Sequence, residues 1–252
     1  MTDWPTSFLG RLPIAQTDIE SSAKGFVAHA LTKRGNAGRP FYSTSANGQV
    51  LALCGSDAGF LALMRKADQI HADGMPMVLY SRMFSKRPLA ERVATTDLVH
   101  AVASRAAEAG ISFYFLGASE DVNARAVEVM QARYPGLVFA GRRNGYFGRD
   151  EEAGIVDAIN AARPDILWIG LGVPLEQEFV DRNLEKLTGV GVIKTSGGLF
   201  DFISGKNKRA PAWMQKAGLE WVYRAWLEPR RLAVRYLTTN PKAIGALIRH
   251  SA

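Results

Sequence analysis

The sequence predicts an α/β fold, with a parallel sheet covered by helices on both faces and a basic helical appendage at its C-terminal end. Three observations carry that expectation. Short runs that are apolar nearly throughout, ISFYFLG and DILWIGLG among them, alternate with segments of helical period, as strands buried on both faces do. Glycine, proline and small polar residues punctuate the junctions. From Lys206 onward the alternation stops, and a basic, aromatic stretch holds ten Lys/Arg against two acidic residues, a local balance of +8 in a chain whose net charge is +7.

The elements follow in order. PFYSTSAN reads as a strand ending in a loop, and VLALCGSDAGFLALMRKA follows with helical periodicity. HADGMPMV places Asp73 between an apolar-flanked helix end and a Gly-Met-Pro turn. ISFYFLG is a strand that ends at Gly117, and SEDVNARAVEVMQARYP a helix with Ser119 as N-cap that stops before Pro135. LVFAG, EEAGIVDAINAARP and DILWIGLG read as strand, helix and strand. PLEQEFVDRNLEKL is a helix opened by Pro174, and VGVIKTSGG a final strand. Strands alternating with helices argue for a parallel sheet, whose ligands bind beyond the carboxyl ends of the strands. Those ends carry residues 45–47, 117–119, 170–172 and 196–198. The expected division is an N-terminal extension of unassigned role (1–38), an α/β core (39–205) and the basic appendage (206–252).

Composition narrows the function classes. At 252 residues, 47% hydrophobic and 22% charged, the chain is ordinary for a globular protein with a sizeable core. No apolar run is long enough to cross a bilayer, and MTDWPTSFLGRLPIAQTD lacks the basic-then-apolar order of a signal peptide, so a cytoplasmic protein is expected. The single cysteine, Cys54, cannot form an internal disulfide, and no Cys/His set has metal-ligand spacing. The patterns G-x-x-x-x-G-K-[ST], H-E-x-x-H and G-x-S-x-G are absent, as is any D-x-D pair.

Several residues are candidates for chemistry. Asp73 reads either as a turn aspartate bonding its own backbone or as a general base facing the cleft, with His71 a weaker alternative. The strand–glycine–helix turns at Gly117–Ser119 and Gly170–Gly172 could present backbone N–H groups to a phosphate, although GLGVPL lacks the third glycine of a dinucleotide fingerprint. Glu176 and Gln177, in a first helical turn, are expected to face the cleft. Asp201, flanked by two phenylalanines, reads as a backbone-capping residue more than a ligand contact. On one continuous helix Arg224, Arg231 and Arg235 would lie within about 40° of one another, a condition that Pro229 puts in question.

As an ordered set, TSANGQ, HADGMP, RNGYF, GLGVPLEQ, GGLFDFISGKNKRAP and LEWVYRAWLEPRRLAVRY resemble the WecG/TagA/CpsF family of bacterial glycosyltransferases over about residues 40 to 240. The resemblance implies a Rossmann-like core and a helical appendage that closes over the site and faces the membrane. It implies inverting, metal-independent transfer of a sugar from a UDP-sugar donor to a polyprenyl-diphosphate-linked acceptor, without a cofactor, at the inner face of the cytoplasmic membrane. The donor sugar would be of N-acetylmannosamine type or a uronic acid, the product a cell-surface polysaccharide, and the enzyme compatible with a homo-oligomer. Asp73 matches the family's base, Asn47 its polar-loop asparagine, and Thr44 or Ser45 its hydroxyl. Arg224, Arg231 and Arg235 match appendage arginines, read as clamps on diphosphate oxygens. Arg82, Gly117, Ser119, Gly170, Gly172, Glu176 and Gln177 complete the substrate-binding set. The family's Pro-x-Gln-Glu stands here as Pro174-Leu175-Glu176-Gln177, with the polar pair exchanged, which fits an uncharged donor better than a uronate. Truncation before Gly218 is expected to abolish transfer and leave a folded core.

Two other classes compete. A nucleic-acid-binding protein would use the basic tail, but no docking motif accompanies it. A Rossmann-type sugar-nucleotide epimerase or dehydrogenase is opposed by the broken glycine fingerprint and by the missing Tyr-x-x-x-Lys pair.

Overall fold

The computed structural model describes residues 4–36, 38–216, 219–227 and 234–251. The chain opens with a hairpin, β1 (Thr6–Leu9) and β2 (Leu12–Ala15), turned through Gly10 and Arg11 at positive φ, and continues into α1 (Ile19–Lys33). Then come β3 (Phe41–Ala46), α2 (Gly48–Ser56), α3 (Ala58–Met64), β4 (Gln69–Ala72), α4 (Met75–Phe84) and α5 (Thr95–Ala109). The second half holds β5 (Ser112–Gly117), α6 (Glu120–Arg133), β6 (Val138–Arg143), α7 (Glu152–Ala162), β7 (Ile166–Gly170), α8 (Leu175–Asn183) and β8 (Val192–Thr195). Four helices follow: α9 (Leu199–Ile203), α10 (Ala212–Lys216), α11 (Glu220–Leu227) and α12 (Val234–His250).

All eight strands form one sheet in the order β1-β2-β4-β3-β8-β7-β5-β6, antiparallel only between β1 and β2. The expected α/β architecture is therefore present. The central strands are apolar because both faces are covered. Phe113, Phe115 and Trp168 of β5 and β7 pack with α1, α5, α6 and α9, and Leu116, Leu167 and Ile169 on the other face pack with α7 and α8. A third apolar cluster joins the hairpin, α2, α3 and α4 to Ala243 and Leu247 of α12. Removal of a large fully buried side chain such as Trp168 would leave a cavity that the close-packed sheet cannot collapse to fill.

Two elements depart from the sequence reading. The stretch of helical period over residues 50–67 is divided at Asp57, whose carboxylate accepts the Phe60 N–H at 3.0 Å and so caps a second helix. The segment before Asp73, read as a helix end, is strand β4. Its four residues are buried and pair with β3 in register from Ser43–Gln69 to Ala46–Ala72. Four residues are too few for period alone to separate strand from helix, and pairing decides. The hairpin and α1 fall in the stretch to which the sequence assigns no role; the hairpin extends the sheet edge, and α1 packs against α5.

Asp165, just before β7, ties three segments together. It accepts from Arg34 at 2.6 and 2.7 Å, and from the Ser112 N–H and hydroxyl at 2.7 and 2.9 Å. Burial alone would raise its pKa, but those hydrogen bonds prevail and hold it below the ordinary carboxylate value. Asp165→Asn is expected to cost about 2 kcal/mol of stability at neutral pH. A depressed native pKa supplies stability that is present above the unfolded-state value and lost as pH falls through the folded one. Urea melts of both proteins should therefore converge in acid.

Candidate functional site

Parallel strands deliver their last residues to one edge of the sheet, and here β3, β4 and β8 end side by side. Their termini line a cleft of about 400 Å³. Its floor and walls include Ser45, Asn47, Asp73, Arg92, Glu176 and Thr195. Glu220 and Trp221 of α11, with Asn240 and Ile244 of α12, close it from the appendage side.

Asp73 follows β4 directly, its N–H bonded to the Ala46 carbonyl at 2.8 Å, which fixes it beside the end of β3. One carboxylate oxygen, Oδ2, accepts the Thr95 hydroxyl at 3.2 Å and faces the Thr95 N–H at 3.4 Å. Burial raises the Asp73 pKa, against the pull of Arg92, Lys194 and the Thr95 bonds. A half-buried carboxylate with a raised pKa holds a proton more readily than a solvated one, as a base requires. His71, its weaker rival, is fully buried between Ser43 and Ser22, and burial keeps its pKa well below the usual histidine value.

Asn47 caps α2, its Oδ1 accepting from Gln49 N–H at 3.0 Å and Val50 N–H at 3.2 Å. That commits the carbonyl oxygen and leaves the amide nitrogen for a ligand. Side chains alternate along β3, so Ser45 and Thr44 point to opposite faces. Ser45 lines the cleft, whereas Thr44 is fully buried against Thr195 at 2.7 Å. Glu176 and Gln177 separate in the same way, about 100° apart on α8. Glu176 lines the cleft, and its Oε2 receives Gly197 N–H at 2.8 Å and Gly172 N–H at 3.3 Å. Burial pushes its pKa up to about 7 against those two bonds and Lys194. Gln177 lies beneath, its Nε2 at 3.5 Å from Thr44 and 3.4 Å from Glu176.

The other sequence candidates are not gathered at the cleft. Gly117 and Gly170 meet back to back, since a Cβ on Gly117 would sit 2.3 Å from the Gly170 carbonyl oxygen. Their lack of side chains is a packing requirement of adjacent strand ends. Ser119 precedes α6 without a side-chain capping bond, and Gly172 serves Glu176. Arg82 is exposed on α4 and donates to the Ala90 carbonyl at 2.5 Å. Asp201 lies in α9 and faces Lys206 at 3.1 Å. Arg224 and Arg235 belong to α11 and α12, but their side chains, and the whole of Arg231, lie outside the described residues, as does Pro229.

Three participants were missed. Lys194 of β8 is fully buried, and its Nζ donates to Ser45 Oγ at 2.7 Å and to the Thr195 carbonyl at 3.1 Å. Burial lowers its pKa to about 8, opposed by Asp73 and Glu176. A lysine inside the apolar run VGVIKT is itself a signal, because a lysine is almost never fully buried unless paired. Arg92 and Thr95 fall in a stretch that carried no recognisable pattern. Arg92 bonds Glu220 of α11 at 2.9 Å, and Arg209 joins the same carboxylate at 3.6 Å. Among the described residues, no three His, Cys, Asp or Glu side chains form a group that could hold a metal ion, and no helix is long and apolar enough to cross a membrane.

Residues 10–252 match the model of the Glycosyl transferase WecG/TagA/CpsF family, a wider span than the motifs alone covered. A curated relative from Bacillus spizizenii, an N-acetylglucosaminyldiphosphoundecaprenol N-acetyl-beta-D-mannosaminyltransferase, is 31% identical over 94% of this chain and 91% of its own length. A protein of the same name from Staphylococcus aureus strain MRSA252 is 29% identical over 76% of this chain and 74% of its own.

Proposed function

Because the chain belongs to the WecG/TagA/CpsF family of glycosyltransferases, we propose that it moves an N-acetylmannosamine-type sugar from a UDP-sugar to a polyprenyl-diphosphate-linked saccharide, with inversion and without a metal ion. The acceptor named for the relatives, N-acetylglucosaminyl-diphosphoundecaprenol, is the model for its acceptor. The reaction belongs to cell-surface polymer synthesis, and the appendage brings the cleft to the lipid carrier at the membrane.

The observation that carries this reading is Asp73 at the cleft wall, held through Oδ2 by Thr95. In the proposed step the acceptor hydroxyl oxygen attacks the anomeric carbon from the face opposite UDP, and Asp73 takes its proton. The bond from the anomeric carbon to the diphosphate oxygen breaks, and UDP leaves with the electron pair. Charge growing on that oxygen is met by Arg92 and by Arg224, Arg231 and Arg235. The Asn47 amide nitrogen orients the sugar hydroxyls. Glu176, which stands where the family's motif carries an amide, disfavours a donor with a carboxylate of its own and argues for the uncharged sugar over a uronate.

The test is UDP release by the full-length protein from a panel of UDP-sugars, with an N-acetylglucosaminyl-diphospholipid as acceptor. The expected result is release with UDP-N-acetylmannosamine, dependent on acceptor and unchanged by chelator. Loss of activity in chelator, restored by a divalent ion, would overturn the metal-free mechanism. Preference for a uronate donor would overturn the argument from Glu176.

A further inference from the structure

A buried ammonium beneath a catalytic cleft demands a reason, because desolvating it is costly unless every N–H finds an acceptor. Lys194 sits on β8 with no exposed surface, in register with Ser43 of β3 on one side and Trp168 of β7 on the other. Its Nζ reaches Ser45 Oγ at 2.7 Å, Ser45 Oγ lies 3.1 Å from Thr95 Oγ1, and Thr95 Oγ1 lies 3.2 Å from Asp73 Oδ2. Four side chains from β8, β3, α5 and the end of β4 thus form one unbroken chain.

The direction of that chain follows from the chemistry of its ends. A charged lysine only donates, and a carboxylate only accepts. Ser45 Oγ must then accept from Lys194, which turns its own proton to Thr95, and the Thr95 proton turns to Asp73. Each hydroxyl is polarised by the one before it.

We propose that Lys194 is a positioning residue for Asp73, acting through Ser45 and Thr95 to keep two donors on Oδ2 and leave the other carboxylate oxygen for the acceptor hydroxyl. Lys194 does not touch substrate. Its neutral amine could accept a hydrogen bond, and the two hydroxyls would then be free to reverse and withdraw from Asp73. The chain therefore holds the base ionised and aimed only while Lys194 is charged.

Other charges face the same groups. Glu176 of α8 and Asp73 both favour the charged lysine, His71 of β4 is kept neutral partly by it, and Arg92 faces Asp73 from the segment before α5. Tyr42 of β3 lies on the Thr44–Thr195 side, where burial pushes its hydroxyl pKa far up and keeps it un-ionised. None of these completes a hydrogen-bonded path to Asp73 in place of Lys194.

The proposal rests on Asp73 as the base, so its test includes a readout independent of turnover. In the full-length protein, carbon-13 NMR of the side-chain carboxyls follows the Asp73 titration in wild type, Lys194→Met, Thr95→Val and Ser45→Ala. Methionine matches the lysine stem and removes a buried charge, and Thr95→Val cuts the chain without touching β8. The Asp73 midpoint should move upward in all three variants. Turnover with UDP-N-acetylmannosamine should fall by about ten-fold or more with little change in donor KM, its acid limb moving with the NMR midpoint. Lys194→Met combined with Ser45→Ala should cost no more than the worse single variant, since both cut one chain. An unmoved Asp73 titration in Lys194→Met, or additive losses in the double variant, would overturn the positioning role. A shifted titration with turnover unchanged would overturn the base reading that the proposal needs.

Discussion

Asp73→Asn is expected to lower turnover by about 10²- to 10⁴-fold, the usual contribution of a general base, while leaving donor KM nearly unchanged. The asparagine keeps the shape and can still accept from Thr95, so loss of proton affinity is what the substitution isolates. The pH dependence should agree. A base works in its ionised form, and burial raises the Asp73 pKa, so activity should fall on acidification through a midpoint above the ordinary carboxylate range. Stability runs the other way. A folded-state carboxyl pKa above the unfolded one means that the native protein binds the proton more tightly, so ionising it costs stability as pH rises through that window. Asp73→Asn should therefore melt higher than wild type at neutral pH, with the difference disappearing in acid. An inactive variant that is no more stable would point to damaged folding instead of a missing base.

The second large effect concerns the C-terminal helices. From sequence, truncation before Gly218 was expected to abolish transfer and spare a folded core. The packing of α12 changes what that truncation should do. Ala243 and Leu247 are buried in one cluster with Leu9, Leu51 and Met77, and the hairpin backbone reaches α12 directly, Arg11 N–H to the His250 carbonyl at 3.1 Å. Removing α12 uncovers that cluster as well as one wall of the cleft. Leu247→Ala alone is expected to cost about 2–5 kcal/mol in a chemical melt. The full truncation should lose soluble expression together with activity. A truncated protein with the native melting temperature would show that α12 is only docked on the core.

Strands β3 and β5 to β8 are legible because apolar runs recur at regular spacing between helical segments, whereas the four-residue strands β1, β2 and β4 leave no such signal. Asp73, Asn47 and Glu176 were legible through the motifs around them, and all three reach the cleft. The choices that the sequence leaves open share a physical origin. Thr44 and Ser45, like Glu176 and Gln177, are neighbours in the chain that point apart, and only register in the sheet or the phase of α8 decides which one meets the cleft. The glycines at 117 and 170 suggested a phosphate cradle, yet they are explained by two strand ends in contact, a tertiary fact invisible in one sequence. Arg92 and Thr95 carried no local pattern at all, because their importance comes from what lies across the cleft. Lys194 does leave a sequence signal, a charge inside the apolar run VGVIKT.

Arg92 reaches the cleft with a partner. Its guanidinium is already held by Glu220, a carboxylate supplied by the appendage. An incoming phosphate that takes Arg92 must share it with this resident anion or displace it, so the hold on the ligand is weakened by whatever the resident pair is worth. In the proposed reaction the same exchange would run in reverse when UDP departs, with Glu220 taking the arginine back. Glu220 would thus loosen the hold on the diphosphate in that reaction and ease its release after each cycle.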